Sequence, residues 1–304
     1  MLTIGSRGSQ LALWQARWIQ ARLTDLGEES RIEIIRTTGD RITDVPLAKV
    51  GTKGLFTKEI EEALVRGDID IAVHSMKDMP TEVPHGLTIA AIPEREDPRD
   101  AIVGVPLAEL REGASVGTSS LRRSAQLRAL RPDLLIDSIR GNVDTRLRKL
   151  EDLQFDAIVL ASAGLRRLGL EGRIAEVLEP EVMCPAVGQG ALAVETRDDG
   201  GAAHQVCSRL DHAETRAAVT AERALLATLG GGCQVPIGAY ARIIDGTLQI
   251  DAVVVSPEGD AIVRRGSSGP VSMAESIGTA LGDELLAMGG REILEDVYGG
   301  AAHG

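Results

Sequence analysis

Short apolar runs alternate with amphipathic stretches along the first two-thirds of the chain, a pattern typical of α/β folds. The run Leu2 to Gly5 predicts a strand, and Ser9 predicts the N-cap of a helix that ends near Leu26. Two more strands are predicted at residues 31–36 and 70–74, with a helix at 57–66 between them. This order favours a parallel or mixed sheet with helices on its faces.

Residues 93–100 are polar and proline-rich, so we expect a hinge or a crossing between domains there. A second α/β set follows. The apolar run 191–194 is then predicted to re-enter the first sheet, which would make the first domain discontinuous. The elements predicted in the second set are strands at 115–117, 134–138 and 156–161 and helices at 120–130 and 143–150.

Beyond about Asp211 the pattern changes to that of a small α+β domain. A helix that ends near Leu229 is followed by three strand-like stretches, and turn sequences typical of hairpins separate these stretches. The stretches are residues 238–244, 247–255 and 261–265, and a helix at 273–288 follows them. We therefore expect three domains, which are residues 1–93 with 190–209, residues 94–189 and residues 210–304.

The composition of the 304 residues, 43% hydrophobic and 26% charged, is that of an ordinary globular protein. We find no export signal and no run of the ~18 apolar residues that a membrane span needs, so we expect a cytoplasmic protein without a membrane partner. The three cysteines fit neither a disulfide framework nor a zinc site, and no His pair has metal-ligand spacing. We therefore expect no protein-bound metal.

The net charge of −12 argues against a nucleic-acid partner, but the charge is unevenly distributed. Residues 118–167 contain ten basic and six acidic side chains, a net +4, so the rest of the chain carries −16. Nine of the ten are arginines, whose planar guanidinium pairs with carboxylate or phosphate through two hydrogen bonds. The segment predicts a multiply anionic ligand. A solvated helix face is the alternative that we favour for Arg128, Arg131, Arg148 and Lys149.

Three motifs follow predicted strands, at the sheet edge where open α/β folds bind ligands. Residues 118–123 and 140–146 combine hydroxyl groups, helix N-termini and arginines. Residues 74–78 place Lys77 and Asp78 beyond a buried strand. Asp78 can be a helix N-cap, whereas beside a basic crevice its carboxylate can stabilise a developing cation and exchange protons with a leaving amine.

Two glycine-rich segments suggest further chemistry. Residues 49–58 carry three lysines without the spacing of a nucleotide-binding loop, so they are either a loop that closes over an anion or an exposed basic loop. Cys233 follows three glycines, which favours a thiol presented for covalent attachment or nucleophilic catalysis. We interpret Cys184 and Cys207 as small buried hydrophobic residues.

Seven motifs together resemble the porphobilinogen deaminase (hydroxymethylbilane synthase) family over nearly the whole chain. They are residues 46–51, 72–78, 94–100, 116–123, 140–146, 185–190 and 231–238. The resemblance implies an α/β fold of two domains like type II periplasmic binding proteins, with mixed sheets flanked by helices. A small C-terminal α+β domain with a three-stranded sheet would follow, and the chain would be a monomer.

The resemblance also implies the chemistry of a transferase in tetrapyrrole and heme biosynthesis. A dipyrromethane cofactor would be attached to Cys233 through a thioether and would act as primer. Four porphobilinogen units would add to it head to tail with loss of ammonia, and water would release hydroxymethylbilane.

Matched positions take roles through this resemblance. Asp78 would be catalytic, protonating the departing amine and stabilising the azafulvene cation. Cofactor-binding positions would be Lys49, Lys53, Lys77, Asp78, Thr118, Ser120, Arg122, Arg123 and Gln189. Substrate-binding positions would be Arg7, Ser9, Arg140, Arg146 and Arg167. Cys184 places a second thiol near the motif at 185–190, so the attachment site needs a test.

The alternative from another class is an anion-binding module, either a two-lobed receptor or the effector half of a regulator. Its expected export signal or DNA-binding segment is not found in the sequence, and a simple receptor has no need for the glycine-cysteine loop at 230–233.

Overall fold

The computed structural model describes residues 1–41, 57–231 and 235–301. Within them the chain forms two compact units, residues 1–96 with 190–216 and residues 97–189 with 217–304. The division into three domains stays a prediction. Among the described residues, no helix is both long and apolar enough to span a bilayer.

Short strands and helices alternate along most of the chain. In chain order, the strands are β1 (Leu2–Ser6), β2 (Ser30–Ile34), β3 (Ile71–Ser75), β4 (Leu87–Ala91), β5 (Asp100–Gly104), β6 (Ser115–Gly117), β7 (Leu135–Asp137), β8 (Ala157–Ala161), β9 (Ile174–Leu178), β10 (Leu192–Arg197), β11 (Ile237–Ile244), β12 (Thr247–Val255) and β13 (Ile262–Pro270). The helices are α1 (Gln10–Asp25), α2 (Thr38–Arg41), α3 (Lys58–Arg66), α4 (Leu121–Leu130), α5 (Val143–Glu151), α6 (Ser162–Arg167), α7 (Ala202–Cys207), α8 (Ala213–Thr228), α9 (Ala274–Leu285) and α10 (Arg291–Ala301).

The two large sheets share one topology. The first has the order β2-β1-β3-β10-β4, and the second has the order β7-β6-β8-β5-β9. In each sheet the fourth strand, β10 or β5, is antiparallel to both of its neighbours, and the pairs β1–β3 and β6–β8 are parallel. Parallel neighbours end at the same sheet edge, so the loops that follow β1 and β3, and those that follow β6 and β8, are brought together within each sheet. The predicted return of the chain to the first sheet is strand β10.

Helix α1 shows how the sequence pattern specifies a local element. The Ser9 side chain accepts a hydrogen bond from the Ala12 amide at 3.3 Å, which satisfies one of the free donors of the first turn. Ala16, Ile19 and Leu23 recur at helical spacing and are fully buried in the core of the first sheet. The predicted start of this helix at Ser9 is confirmed.

The third sheet, β11-β12-β13, is antiparallel, as predicted. Its first turn places Asp245 and Gly246 at φ values of 48° and 73°, the left-handed conformation that a two-residue hairpin loop requires. Together with the two helix-flanked mixed sheets, this confirms the predicted fold class.

Strands β4, β5 and β9 were not predicted. Each has five residues, and β5 begins inside the polar segment interpreted as a hinge. Strands this short are defined by pairing with partners that are distant in sequence, since β-propensity depends strongly on context.

Close packing of α8 and α9 gives the first testable prediction. A Cβ at Gly278 would overlap the carbonyl oxygen of Ala221, whereas one at Gly172 would meet nothing within 4 Å. We expect Gly278→Ala to lower the free energy of unfolding by about 1–3 kcal/mol, as overpacking does. Gly172→Ala is the matched control and should change it by less than about 0.5 kcal/mol. Urea unfolding measures both, and equal stability of the two variants would contradict this packing.

Candidate active site

The turn that carries Asp78 directly follows the buried strand β3. The turn spans Met76–Asp78. Its first residue, Met76, and the residue that follows it, Met79, are both buried. The Met76 amide donates to the Ala191 carbonyl at 3.0 Å, which fixes the turn to the segment before β10. Asp78 itself is partly exposed, and within residues 1–41, 57–231 and 235–301 no hydrogen bond or ion pair engages its carboxylate. The N-cap interpretation is therefore not supported by the described residues.

Other predicted residues of this unit lie at the same sheet edge. Arg7 and Ser9 follow β1, and Lys77 follows β3, the parallel neighbour of β1. The amide of Gln15 donates to the Ser75 hydroxyl at 2.8 Å, which ties α1 to the end of β3. The Ser9 hydroxyl already caps α1, so a role in ligand binding stays a prediction.

A buried acidic cluster lies beneath this edge, in the core. His74 Nε2 is 3.2 Å from Glu195 Oε2, and both side chains are almost fully buried. Burial raises the pKa of Glu61 on α3, and the charge of Glu195 raises it further. Because all three side chains are buried, we assign the cluster to the core of this unit.

In the second unit, the predicted pair Arg122 and Arg123 lies in the first turn of α4, and both are buried, with 4% and 6% exposure. The Ser120 hydroxyl caps this helix by accepting from the Arg123 amide at 3.5 Å. The Thr118 hydroxyl accepts from the Ser120 amide at 3.2 Å. The two hydroxyls thus shape the loop between β6 and α4.

Asp100, the first residue of β5, binds both arginines and is itself fully buried. Its Oδ2 accepts from Arg122 Nη1 at 2.7 Å, and its Oδ1 accepts from Arg123 Nε at 3.0 Å and Nη2 at 2.7 Å. Gln189 Nε2 donates to Oδ1 at 2.8 Å. We call Asp100, Arg122, Arg123 and Gln189 the arginine clamp.

The charges in the clamp determine its protonation state. Burial alone would raise the pKa of Asp100, but the positive charges of Arg122 and Arg123 outweigh it and hold that pKa well below its usual range. Burial lowers the pKa of Arg123, while Asp100 opposes that change. The clamp therefore contains an ionised carboxylate between two guanidinium groups at neutral pH.

Cations exceed anions around the clamp. Burial, together with the charges of Arg123 and Arg140, lowers the pKa of Arg146 to about 10. Arg140 precedes α5, Arg146 is within α5, and the buried Arg167 ends α6. An anion bound among these arginines would relieve the repulsion between them.

Two of the three cysteines are described, and both are buried. Burial raises the pKa of Cys184 and that of Cys207 to about 12. Cys184 also contacts β11 so closely that a Cβ at Gly238 would lie 2.8 Å from its carbonyl oxygen. Neither thiol is an accessible nucleophile. Cys233, Lys49 and Lys53 lie outside the described residues.

Comparison with known families and proteins gives a consistent result. Two family models match, "Porphobilinogen deaminase, dipyromethane cofactor binding domain" over residues 2–205 and "Porphobilinogen deaminase, C-terminal domain" over residues 216–287. The porphobilinogen deaminases of Syntrophobacter fumaroxidans and Pelobacter propionicus are 51% and 53% identical to the chain. Each alignment covers 98% of this chain, and it covers 98% and 97% of those proteins. The chain belongs to the porphobilinogen deaminase family.

Solved structures give a more distant likeness. A periplasmic substrate-binding protein of an ABC transporter from Coxiella burnetii aligns at 14% identity and a TM-score of 0.42, covering 69% of this chain and 91% of that one. A nutrient binding protein from Burkholderia cenocepacia aligns at 13% identity and the same TM-score, covering 68% and 90%. The fold class of this family member rests on its own strand order.

The residues present fit the dipyrromethane cofactor that the first matching family model names. Pyrroles made from porphobilinogen carry carboxylates, and residues 118–167 of the second unit provide nine arginines and a net charge of +4. Arg122 Nε is buried and has no hydrogen-bond partner within the described chain. An unpartnered buried donor of this kind is costly unless a ligand completes it.

Sequence reasoning did not assign Asp100 a role, although it lies in the motif at residues 94–100. A signal was available: two consecutive arginines open a helix beside a sheet, and buried arginines require a buried counter-ion.

The buried thiols give a prediction about reactivity. Because alkylation needs the thiolate and both pKa values are about 12, we expect Cys184 and Cys207 to resist iodoacetamide at pH 8 in the folded protein. Both should react fully in 6 M guanidinium, and peptide mass spectrometry measures the extent of alkylation at each cysteine. Labelling of Cys184 in the folded protein would show that its thiol is accessible.

Proposed function

We propose that this chain is a transferase that joins four porphobilinogen units head to tail, with loss of ammonia, and then releases hydroxymethylbilane by hydrolysis. The growing chain would start on a dipyrromethane attached to Cys233 through a thioether. Three domains, a cytoplasmic location and a monomeric state belong to the same proposal. Family membership over 98% of the chain supports it.

The observation that carries the proposal is the cationic excess of residues 118–167 within the second unit, which contain ten basic and six acidic side chains. Each porphobilinogen carries two carboxylates, so a two-ring primer and four added rings bring twelve negative charges. Leaving such charges unpaired away from water would cost roughly several kcal/mol each. Burial contributes most to the lowered pKa of Arg146, and the charges of Arg123 and Arg140 add to it. Carboxylates bound between these arginines would relieve that repulsion.

Asp78 is proposed to handle the cationic side of the chemistry. When bound, the dipyrromethane supplies the free pyrrole carbon to which the first unit is joined. The Asp78 carboxylate would stabilise the cation that remains when porphobilinogen loses ammonia, and it would exchange a proton with the departing amine. Its partial exposure and lack of a described partner leave it available for this role.

The remaining residues would bind carboxylates. We propose that Arg122 and Arg123 bind the cofactor, with contributions from Lys49, Lys53, Lys77, Thr118, Ser120 and Gln189. For the substrate and the growing chain we propose Arg7, Ser9, Arg140, Arg146 and Arg167. Bidentate pairing with carboxylates suits arginine better than lysine, because the guanidinium is planar and permanently charged.

The covalent cofactor is tested by intact mass. We expect purified protein to exceed its sequence mass by two linked pyrroles, and we expect Cys233→Ala to abolish both the excess and activity. Cys207→Ala is the matched control and should retain both, because Cys207 is buried away from any proposed role. An unmodified mass in protein that converts porphobilinogen would refute attachment.

The role of Asp78 is tested by Asp78→Asn. We expect ammonia release from porphobilinogen to slow by at least about 10²-fold, the usual contribution of an acid-base group. Since no described residue pairs with this carboxylate, the free energy of unfolding should change by less than about 0.5 kcal/mol. Asp68→Asn removes an exposed aspartate of the same unit, which pairs only with Arg66 at 2.8 Å among the described residues, and serves as control. Turnover within a few-fold of the original protein would exclude the proposed role.

A further inference from the structure

Asp100 lies outside every role proposed above, yet it touches both arginines proposed to bind the cofactor. Its carboxylate accepts four hydrogen bonds from described residues, at 2.7–3.0 Å, and has no exposure to solvent. It opens β5, where it is paired with Ala161 of β8 and Leu178 of β9. The sheet itself therefore fixes the position of this charge.

Each guanidinium of the clamp is held at a second point as well. Arg122 Nη1 donates to the Cys184 carbonyl at 2.6 Å, and Arg123 Nη1 donates to the Val159 carbonyl at 3.0 Å. A guanidinium fixed by two acceptors has lost its rotamer freedom before any ligand arrives. Preorganisation of this kind reduces the entropy cost of binding and fixes which N–H groups remain for a ligand.

Arg122 and Arg123 differ in how many of their N–H groups are already hydrogen-bonded within the described residues. Among the described residues, Arg123 uses Nε, Nη1 and Nη2 on Asp100, Val159 and Gln189, whereas Arg122 uses Nη1 alone. Arg122 Nε is buried without a partner among the described residues. The clamp therefore leaves one edge of Arg122 for a carboxylate and commits most of Arg123 to holding Asp100.

We propose that Asp100 is a positioning residue: it orients Arg122 and Arg123 for the carboxylates of the cofactor and keeps the two cations together. It does not touch the reacting atoms. The expected loss of activity rests on the proposed function. The orientation of Arg122 and Arg123 by Asp100 does not depend on that function.

An electrostatic role and a positioning role of Asp100 predict opposite effects of the same substitution, so one experiment distinguishes them. Asp100→Asn removes a negative charge, so a purely electrostatic role predicts tighter binding of anionic substrate and a lower KM. A positioning role predicts the opposite, with kcat/KM reduced by about 10²-fold, as misplaced binding groups cause. Asp100→Glu keeps the charge but displaces it by one methylene, and kcat/KM should fall by about tenfold.

Asp133→Asn is the matched control. Asp133 pairs with Arg131 at 2.6 Å in the same unit, is partly exposed and has no role in the site. It should leave kcat and KM unchanged. Kinetics are measured on holoprotein and normalised to cofactor content from intact mass. Folded Asp100→Asn protein that fails to acquire the cofactor also supports the proposal, because the arginines are then no longer competent to bind it.

A readout independent of turnover is the ¹⁵N signal of the Arg123 Nε–H group. This N–H proton is hydrogen-bonded to buried Asp100, so it should exchange slowly with water. Its signal should persist in Asp133→Asn and disappear in Asp100→Asn. If Asp100→Asn does not fold, the kinetics of Asp100→Glu test the positioning role instead. Original kinetics in folded Asp100→Asn, or in Asp100→Glu, would overturn the positioning role. A protected Arg123 signal in protein that does not convert porphobilinogen would instead refute the proposed function and leave the orientation intact.

Discussion

The carboxylate of Asp100 is the point on which the charged part of the second unit depends. Two arginines and a glutamine converge on it in a region without solvent, and its pKa is held well below the usual range by the two guanidinium groups, which outweigh burial. Removing one partner of such a buried pair typically costs about 3–5 kcal/mol, because the other charge is left unpaired. The same contacts connect β5, α4 and the segment at residues 185–189. The ion pair therefore links these elements and also holds the arginines that we propose bind the cofactor.

Two aspartates of this chain illustrate how environment separates structural from chemical roles. Asp100 is buried, saturated with donors and locked in the ionised state. Asp78 follows a strand of the first sheet, is partly exposed and has no partner among the described residues. A carboxylate with all its acceptor positions occupied cannot readily exchange a proton with substrate, whereas one without partners can. The assignment of Asp78 to the chemistry and Asp100 to positioning follows from this difference.

The common topology of the two large sheets explains why the proposed binding residues collect after strands that are remote in sequence. In each sheet, parallel strands end at one edge, and the loops there carry helix N-termini capped by Ser9 or Ser120. Free backbone donors at these N-termini favour anions, and arginines in the adjacent turns add charge. The fold therefore generates anion-binding edges before any particular side chain is considered. In the proposed function, the arginine side chains then select polycarboxylates.

Local signals were sufficient for much of the fold. The cap at Ser9, the hairpin at 245–246 and the alternation of strands with helices are set by residues within a few positions of one another, so the sequence alone predicts them. Its long motifs also identify the family. Only the tertiary structure determined which charged residues are buried and paired. Asp100 and Arg122 are 22 residues apart and Asp100 and Gln189 are 89 apart, and no local pattern encodes such contacts. The sequence predicted that Cys184 is buried, and the structure confirms it. The contact that buries it, with the strand containing Gly238, is visible only in the tertiary structure, because the two residues are distant in sequence.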